Sequence, residues 1–317
     1  MHWRLSWYLK QTRLRHPPQF INLEPTNACN LSCIWCVADR SRTKGMLSLS
    51  LAENILDQAA AAKVREVRLF LAGEPLLYPH ITALVSLVNE RNLKSVIHTN
   101  AMLLTEEMSN DIIGAGLSEI SFSVNGITSR EVSENQPGAD LYTMIANIRT
   151  FLSLSNNSPD SVTSTILQII RRRHDRQRAE TRRFIRETFI QERPDRILLL
   201  EPHSWSGQLT SCSEDSKHTV YHPCQPLWQG MSIGWDGRVF LCCGDLNGSV
   251  PVGDMTRSSL MEIWLGTELT EARCAVAGNK RANRPLCSSC DAVWWNKHPL
   301  MADMRRAAWR LTGGMDR

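Results

Sequence analysis

The chain has 317 residues, 42% of them hydrophobic and 21% charged, with a formal net charge of +4. These are ordinary values for a globular protein with one large domain and a smaller one. No apolar run is long enough to span a bilayer and no secretory leader pattern opens the chain, so a cytoplasmic location without stable membrane insertion is expected. Ten cysteines in such a chain read as metal ligands more readily than as disulfides.

In chain order, residues 1–17 come first, an amphipathic segment with Trp3, Trp7, Tyr8 and Leu9 beside Arg4, Lys10, Arg13 and Arg15. It reads as a lid on the body of the protein rather than a membrane anchor, because its apolar face is short. Between 18 and 215 short β-branched apolar runs alternate with helical patterns. Strands are predicted over 19–24, 66–71, 94–99, 118–124, 162–170 and 196–200, and helices over 49–63, 80–91, 106–114, 141–154 and 176–191. Such alternation implies right-handed βαβ units and a partial (β/α)6 TIM barrel, an α/β fold.

Directly after the first strand stands Cys29-x-x-x-Cys33-x-x-Cys36, with Trp35 as an apolar shield. Three thiolates from one loop can converge on a cubane iron–sulfur cluster and leave one iron open. A zinc knuckle completed by a fourth ligand is the alternative. The next predicted strand ends in Ala72-Gly73-Glu74-Pro75, a turn that a ligand can approach without meeting a Cβ. Later strands end in Thr99-Asn100-Ala101 and Ser123-Val124-Asn125-Gly126.

Arginines crowd residues 171–186: Arg171, Arg172, Arg173, Arg176, Arg178, Arg182, Arg183 and Arg186. They form either a solvated helix face or a surface for an anionic partner, and no aromatic residues interleave with them as nucleic-acid binding would need.

A second cysteine region, expected over 216–300, holds Cys224, Cys242, Cys287 and Cys290, with a hairpin turning at Trp235-Asp236-Gly237 and a helix over 259–264. A zinc ribbon with four cysteine ligands fits this local spacing too. Cys212 and Cys274 have no partner at motif spacing, and residues 301–317 form a C-terminal tail. Cys243 is either an inert neighbour of Cys242 or a hydrogen-atom donor to a substrate radical. Asp245 is either a turn carboxylate or a group that binds or deprotonates substrate.

The cysteine loop, the Gly73-Glu74-Pro75 turn, the strand ends and the second cysteine set together resemble the radical S-adenosylmethionine (radical SAM) enzymes with a SPASM/twitch C-terminal extension. The resemblance implies a [4Fe–4S] cluster on Cys29, Cys33 and Cys36, with SAM chelating the open iron. It also implies SAM contacts at Ala72, Gly73, Glu74, Asn100, Ser123 and Asn125. The chain departs from the family pattern at Ala72, Ala101 and Asn125, where glycine, glycine and aspartate are usual. Cys224, Cys242, Cys287 and Cys290 follow the order of the shortened, twitch form, which holds one auxiliary [4Fe–4S] cluster. The activity implied is hydrogen abstraction from a carbon of a natural-product intermediate such as an aminocyclitol or sugar. Net oxidation (a dehydrogenase-like oxidoreductase) and radical epimerisation of a sugar or peptide residue, with Cys243 as hydrogen donor, are the two outcomes. The implied partners are a small-molecule or peptide substrate, anionic if the arginines meet it, and an electron donor of the flavodoxin or ferredoxin type.

Overall fold

The computed structural model describes residues 3–39, 41–158, 161–171, 175–209 and 220–295. Cys212, Arg172, Arg173, the side chain of Arg176 and the 301–317 tail lie outside the described residues.

After a short helix α1 (Trp3–Tyr8), strands and helices alternate. The order is β1 (Phe20–Leu23), α2 (Leu49–Ala61), β2 (Glu66–Arg68), α3 (Ile81–Glu90), β3 (Lys94–Thr99), α4 (Glu106–Gly114), β4 (Glu119–Val124), α5 (Ser129–Asn135), α6 (Leu141–Asn157), β5 (Ser164–Ile170), α7 (Asp175–Thr188) and β6 (Arg196–Leu200). Helix starts follow local chemistry: Ser48, Thr105, Thr128 and Asp140 each accept a backbone N–H of the first turn. Helix α5 carries little apolar periodicity and was not expected from the pattern; it forms because Thr128 caps it and Val132 anchors it.

The C-terminal part adds β7 (Val220–Tyr221), α8 (Pro226–Gln229), β8 (Gly230–Ile233), β9 (Arg238–Phe240), β10 (Pro251–Asp254), α9 (Leu260–Leu265), α10 (Thr267–Ala277) and β11 (Trp294–Trp295). The hairpin β8–β9 turns where expected, with Gly237 at φ +86°, and Ser259 opens α9 in a capping box with Glu262.

One unclosed sheet runs through both parts in the order β10-β9-β8-β1-β2-β3-β4-β5-β6, parallel from β8 to β6. β8 pairs in parallel with β1, from Phe20↔Gly230 to Leu23↔Ile233, so the sheet crosses the boundary expected near residue 216. The two faces divide by register, since side chains alternate along a strand. One face carries Ile21, Val67, Ile97, Ile120, Phe122, Val124, Leu167 and Ile169, buried beneath the helices; Phe122 meets Phe151 of α6 edge-on at 5.7 Å. Partners in register place Asn22, Arg68, His98, Ser121, Ser123 and Gln168 on the other face, which is polar.

Helix α1 is not a lid on the barrel. Its Trp7 is fully buried and donates to the Pro223 carbonyl at 2.8 Å, against the C-terminal part. Burying the tryptophan ring with its N–H satisfied explains why so short a helix docks. No helix among the described residues is long and apolar enough to cross a membrane.

Candidate functional site

The cysteine loop is held from four directions. Ala28 accepts from the Glu74 N–H at 2.8 Å, and Asn30 Oδ1 accepts from Asn100 Nδ2 at 2.9 Å. The segment after α5 pairs with the loop strand-fashion, Ser32 N–H to Pro137 O at 2.9 Å and Ile34 N–H to Asn135 O at 3.0 Å. Trp205 Nε1–H donates to Trp35 O at 2.6 Å, while Trp35 itself is buried. Cys29 and Cys36 are exposed and Cys33 half-buried, and all three line a hollow of about 170 Å³ with Asn27, Lys44 and Ala72. Burial, with Cys29 and Cys36 adding repulsion, pushes the Cys33 thiol up to about 12. A thiol held as Cys33 is loses its proton to a strong positive centre, the situation metal ligation resolves.

The Gly73-Glu74-Pro75 turn stands beside that hollow but works differently from the sequence expectation. A Cβ on residue 73 would collide with the carbonyl oxygens of Thr26 and Ala28, so the close approach that requires glycine is by the chain's own backbone. Glu74 is buried and ties its own turn to the end of β3: Oε1 accepts from Thr99 Oγ1 at 2.7 Å and Leu76 N at 3.2 Å, and Oε2 from Asn100 N at 2.9 Å. Burial outweighs these hydrogen bonds and raises its carboxyl to about 7. Ala101 follows at φ +61°, the left-handed conformation that glycine takes at least cost.

At the end of β4, Ser123 is half-buried and Asn125 buried. Gln136 links both to the cysteine loop: it accepts from Asn125 N at 2.8 Å, donates to Ser123 O at 3.2 Å, and reaches Cys33. Asn125 Oδ1 is buried without a protein partner among the described residues. A buried acceptor left open beside three grouped cysteines fits a site completed by a bound group.

Sequence reasoning missed several residues here. Glu24, fully buried, takes Arg42 at 3.3 Å and the N–H groups of Ala72 and Trp235, both at 3.3 Å. Arg42 also donates to Leu246 O at 2.9 Å, and Asn247 bridges Asp39 N and Val37 O. These bonds join the cysteine loop to the turn after Cys243 across more than two hundred residues of sequence, a separation no local pattern spans.

The second cysteine set converges around α8, the β9 end and the 287–290 turn. Cys224 and Cys242 are strongly pushed up by burial, and each feels the charge of other cysteines in the set. Arg281 donates from one nitrogen to the carbonyls of Cys287, Ser288 and Cys290, clamping that turn. Among the described residues no three His, Cys, Asp or Glu side chains come close enough for a single metal ion.

Asp245, offered by the sequence as a substrate group, is spent on structure. It is buried, Oδ1 accepts from Ser249 N and Oγ at 2.9 and 2.7 Å, and Oδ2 accepts from Val250 N at 2.8 Å. The carboxylate closes the turn because these backbone and side-chain donors follow within five residues. Cys243 is exposed. Cys274 is exposed on α10, apart from both sets. Arg171, first of the arginine run, is turned inward to Glu131 at 2.5 Å and Thr181 at 2.8 Å, whereas Arg178, Arg182, Arg183 and Arg186 are exposed.

Comparison with known proteins places this geometry. Residues 23–185 match the radical SAM superfamily, and residues 224–291 match SPASM, an iron–sulfur cluster-binding domain. The AdoMet-dependent heme synthase of Methanosarcina barkeri is 29% identical over 131 residues, 40% of this chain and 37% of that protein. The PqqA peptide cyclase of Gluconobacter oxydans is 33% identical over 117 residues, 36% of this chain and 32% of that protein. The chain thus spans about a third of the length of these relatives. Among solved structures, BtrN in complex with AdoMet and 2-DOIA is similar at TM-score 0.59 and 17% identity, covering 90% of this chain and 97% of BtrN. Streptococcus suis SuiB bound to its precursor peptide SuiA is similar at TM-score 0.66 and 18% identity, covering 90% of this chain and 72% of SuiB.

Proposed function

Since this chain belongs to the radical SAM superfamily, we propose that it removes a hydrogen atom from a carbon of a biosynthetic intermediate, with net oxidation of that carbon. Membership implies a [4Fe–4S] cluster and SAM, and the SPASM domain implies auxiliary iron–sulfur clustering. Cys29, Cys33 and Cys36 would hold the first cluster, and Cys224, Cys242, Cys287 and Cys290 one auxiliary cluster. When bound there, the cluster and SAM would supply one-electron radical chemistry for removing a substrate hydrogen, with the electron coming from an external reductant. Ala72 lines the hollow, and Ser123 and Asn125, whose Oδ1 is buried without a protein partner among the described residues, would contact SAM from the end of β4. Glu74 and Asn100 hold the loop that carries the cysteines.

The observation that carries the oxidative reading is the β8–β1 pairing. It sets β8, which lies between Cys224 and Cys242 in the chain, beside the strand that feeds the first cysteine loop, which supports an electron sink near the radical source. Relatives named for a peptide and for 2-DOIA support a substrate that is either a peptide or a small cyclic intermediate. Anaerobically reconstituted protein with SAM and dithionite should yield 5′-deoxyadenosine, and substrate should emerge two hydrogens lighter.

Exposure of Cys243 favours a second reading, in which its thiol returns a hydrogen atom from the opposite face and inverts the carbon. That outcome predicts solvent deuterium at an inverted carbon in D₂O and none in Cys243→Ala. Product one mass unit heavier, through that deuterium alone, would overturn the oxidative reading.

A further inference from the structure

The polar face of the sheet carries a group of side chains that neither cysteine set employs. Arg68 shares this face with Asn22, in register, and with His98 on the neighbouring strand. Its Nε donates to Glu66 Oε1 at 2.5 Å, and its guanidinium carbon lies 3.5 Å from the centre of the Phe20 ring. Cation–π stacking and the ion pair together pin the fork. Neither terminal nitrogen has a protein partner among the described residues, and 33% of the side chain is open. His98 stacks on Phe70 at 3.9 Å with the rings 8° apart and makes no hydrogen bond to the protein among the described residues. Burial and the charge of Arg68 lower its pKa to about 4, so the ring is neutral near pH 7. Burial among neighbouring groups raises the Cys243 thiol and the charge of Arg68 opposes the rise, which sets the hairpin end over the same space.

We propose that the free edge of Arg68, with His98 beside it, is a subsite for a carboxylate of the substrate, holding the neighbouring carbon near Cys243. This rests on the reading of the polar face as the side where the radical meets substrate. A planar guanidinium edge pairs with a carboxylate through two parallel hydrogen bonds. Glu66 offsets the single charge of Arg68, so the two free donors of the guanidinium edge select a carboxylate by their parallel geometry, and a dianionic phosphate finds no surplus positive charge there. A plain surface ion pair would leave Arg68 mobile and facing bulk water. Stacking on Phe20 and an inward position on the sheet oppose that.

The test uses iodoacetate and iodoacetamide on the cluster-loaded protein, without SAM or reductant, with labelling mapped to Cys243 and Cys274. In both reagents the thiolate sulfur displaces iodide, forming a C–S bond as the C–I bond breaks. Thiolate fraction therefore cancels in the ratio of the two rates. Cys274, exposed on α10, is the internal reference. A charge-assisted pair at Arg68 should raise the iodoacetate-to-iodoacetamide ratio at Cys243 about tenfold over that at Cys274. Arg68→Gln should bring the ratio to the Cys274 level, and Arg68→Lys should retain part of it. If Arg68→Gln loses its cluster absorbance, suppression by acetate of iodoacetate labelling alone at wild-type Cys243 carries the test. Equal ratios at the two cysteines, or a preference that survives Arg68→Gln in folded protein, overturn the proposal. Because no turnover is involved, failure here leaves the oxidative reading standing, and failure to form 5′-deoxyadenosine leaves the labelling result standing.

Discussion

Cys29 and Cys36 lie exposed on the rim of a hollow and Cys33 just within it, on a loop carried by neutral backbone pairing and one buried carboxylate. Cys224 and Cys242 sit deeper, and the Cys287–Cys290 turn is clamped from beneath by a guanidinium. As proposed, the first arrangement would supply three thiolates beside an open hollow, and the second four thiolates from separate segments. A cluster with an incomplete protein shell exchanges its last ligand, whereas a closed shell retains its metal and tunes its potential. The two regions therefore differ in purpose more than in chemistry, and the difference can be broken experimentally.

The largest effect should come from the open set. Cys29→Ala, Cys33→Ala and Cys36→Ala together should abolish 5′-deoxyadenosine formation and lower iron from about eight to about four per chain, measured by iron assay after anaerobic reconstitution. Removing Cys287 and Cys290 should instead spare SAM cleavage while abolishing substrate oxidation. Stoichiometric zinc surviving reconstitution in the second region would break the contrast altogether.

Gly73→Val should come next, and it separates backbone packing from ligand approach. Forcing a side chain onto the Thr26 and Ala28 carbonyls should cost about 3 kcal/mol and displace the cysteine loop. Cluster absorbance and SAM cleavage should then fall together; absorbance retained without SAM cleavage would restore the ligand-approach explanation.

Glu74 sharpens the comparison through pH. Its carboxyl is raised from 4.5 to about 7 in the folded state, so the folded protein holds a proton there that the unfolded chain has released. That stabilisation is complete below pH 4.5 and is lost as pH rises toward 7, a change on the order of 3 kcal/mol. Denaturant midpoints should fall across this window, and Glu74→Gln should flatten the slope from a lower starting stability. A slope unchanged in the variant would assign it to another group.

Asp245→Asn is expected to have the smallest effect, about 1 to 2 kcal/mol of stability from weakened turn bonds. Cleavage of SAM should keep its pH profile. A shifted profile would return Asp245 to the chemistry.

Much of the architecture was legible because it is local. The six barrel strands and most helices announce themselves by period, and their observed ends all fall within three residues of the expected ones. Helix α5 was hidden since its seven residues bury only Val132, too little for a periodic signal. Glu24, Arg42, Asn247 and Arg68 were illegible for another reason. Each is an unremarkable charged or amide residue until a distant segment arrives beside it.

By itself the sequence determined that three thiols share one loop, that a Gly-Glu-Pro turn ends the next strand unit, and that four more cysteines follow in order. Spacing of a few residues is enough for that, since short loops have little freedom to separate their own side chains. Only the tertiary structure decided that Gly73 serves the backbone, that Asp245 locks a turn, and that β8 joins the barrel sheet beside β1. Those outcomes depend on where the burial of strands far apart in sequence brings unlike segments into contact, and no local pattern encodes that meeting.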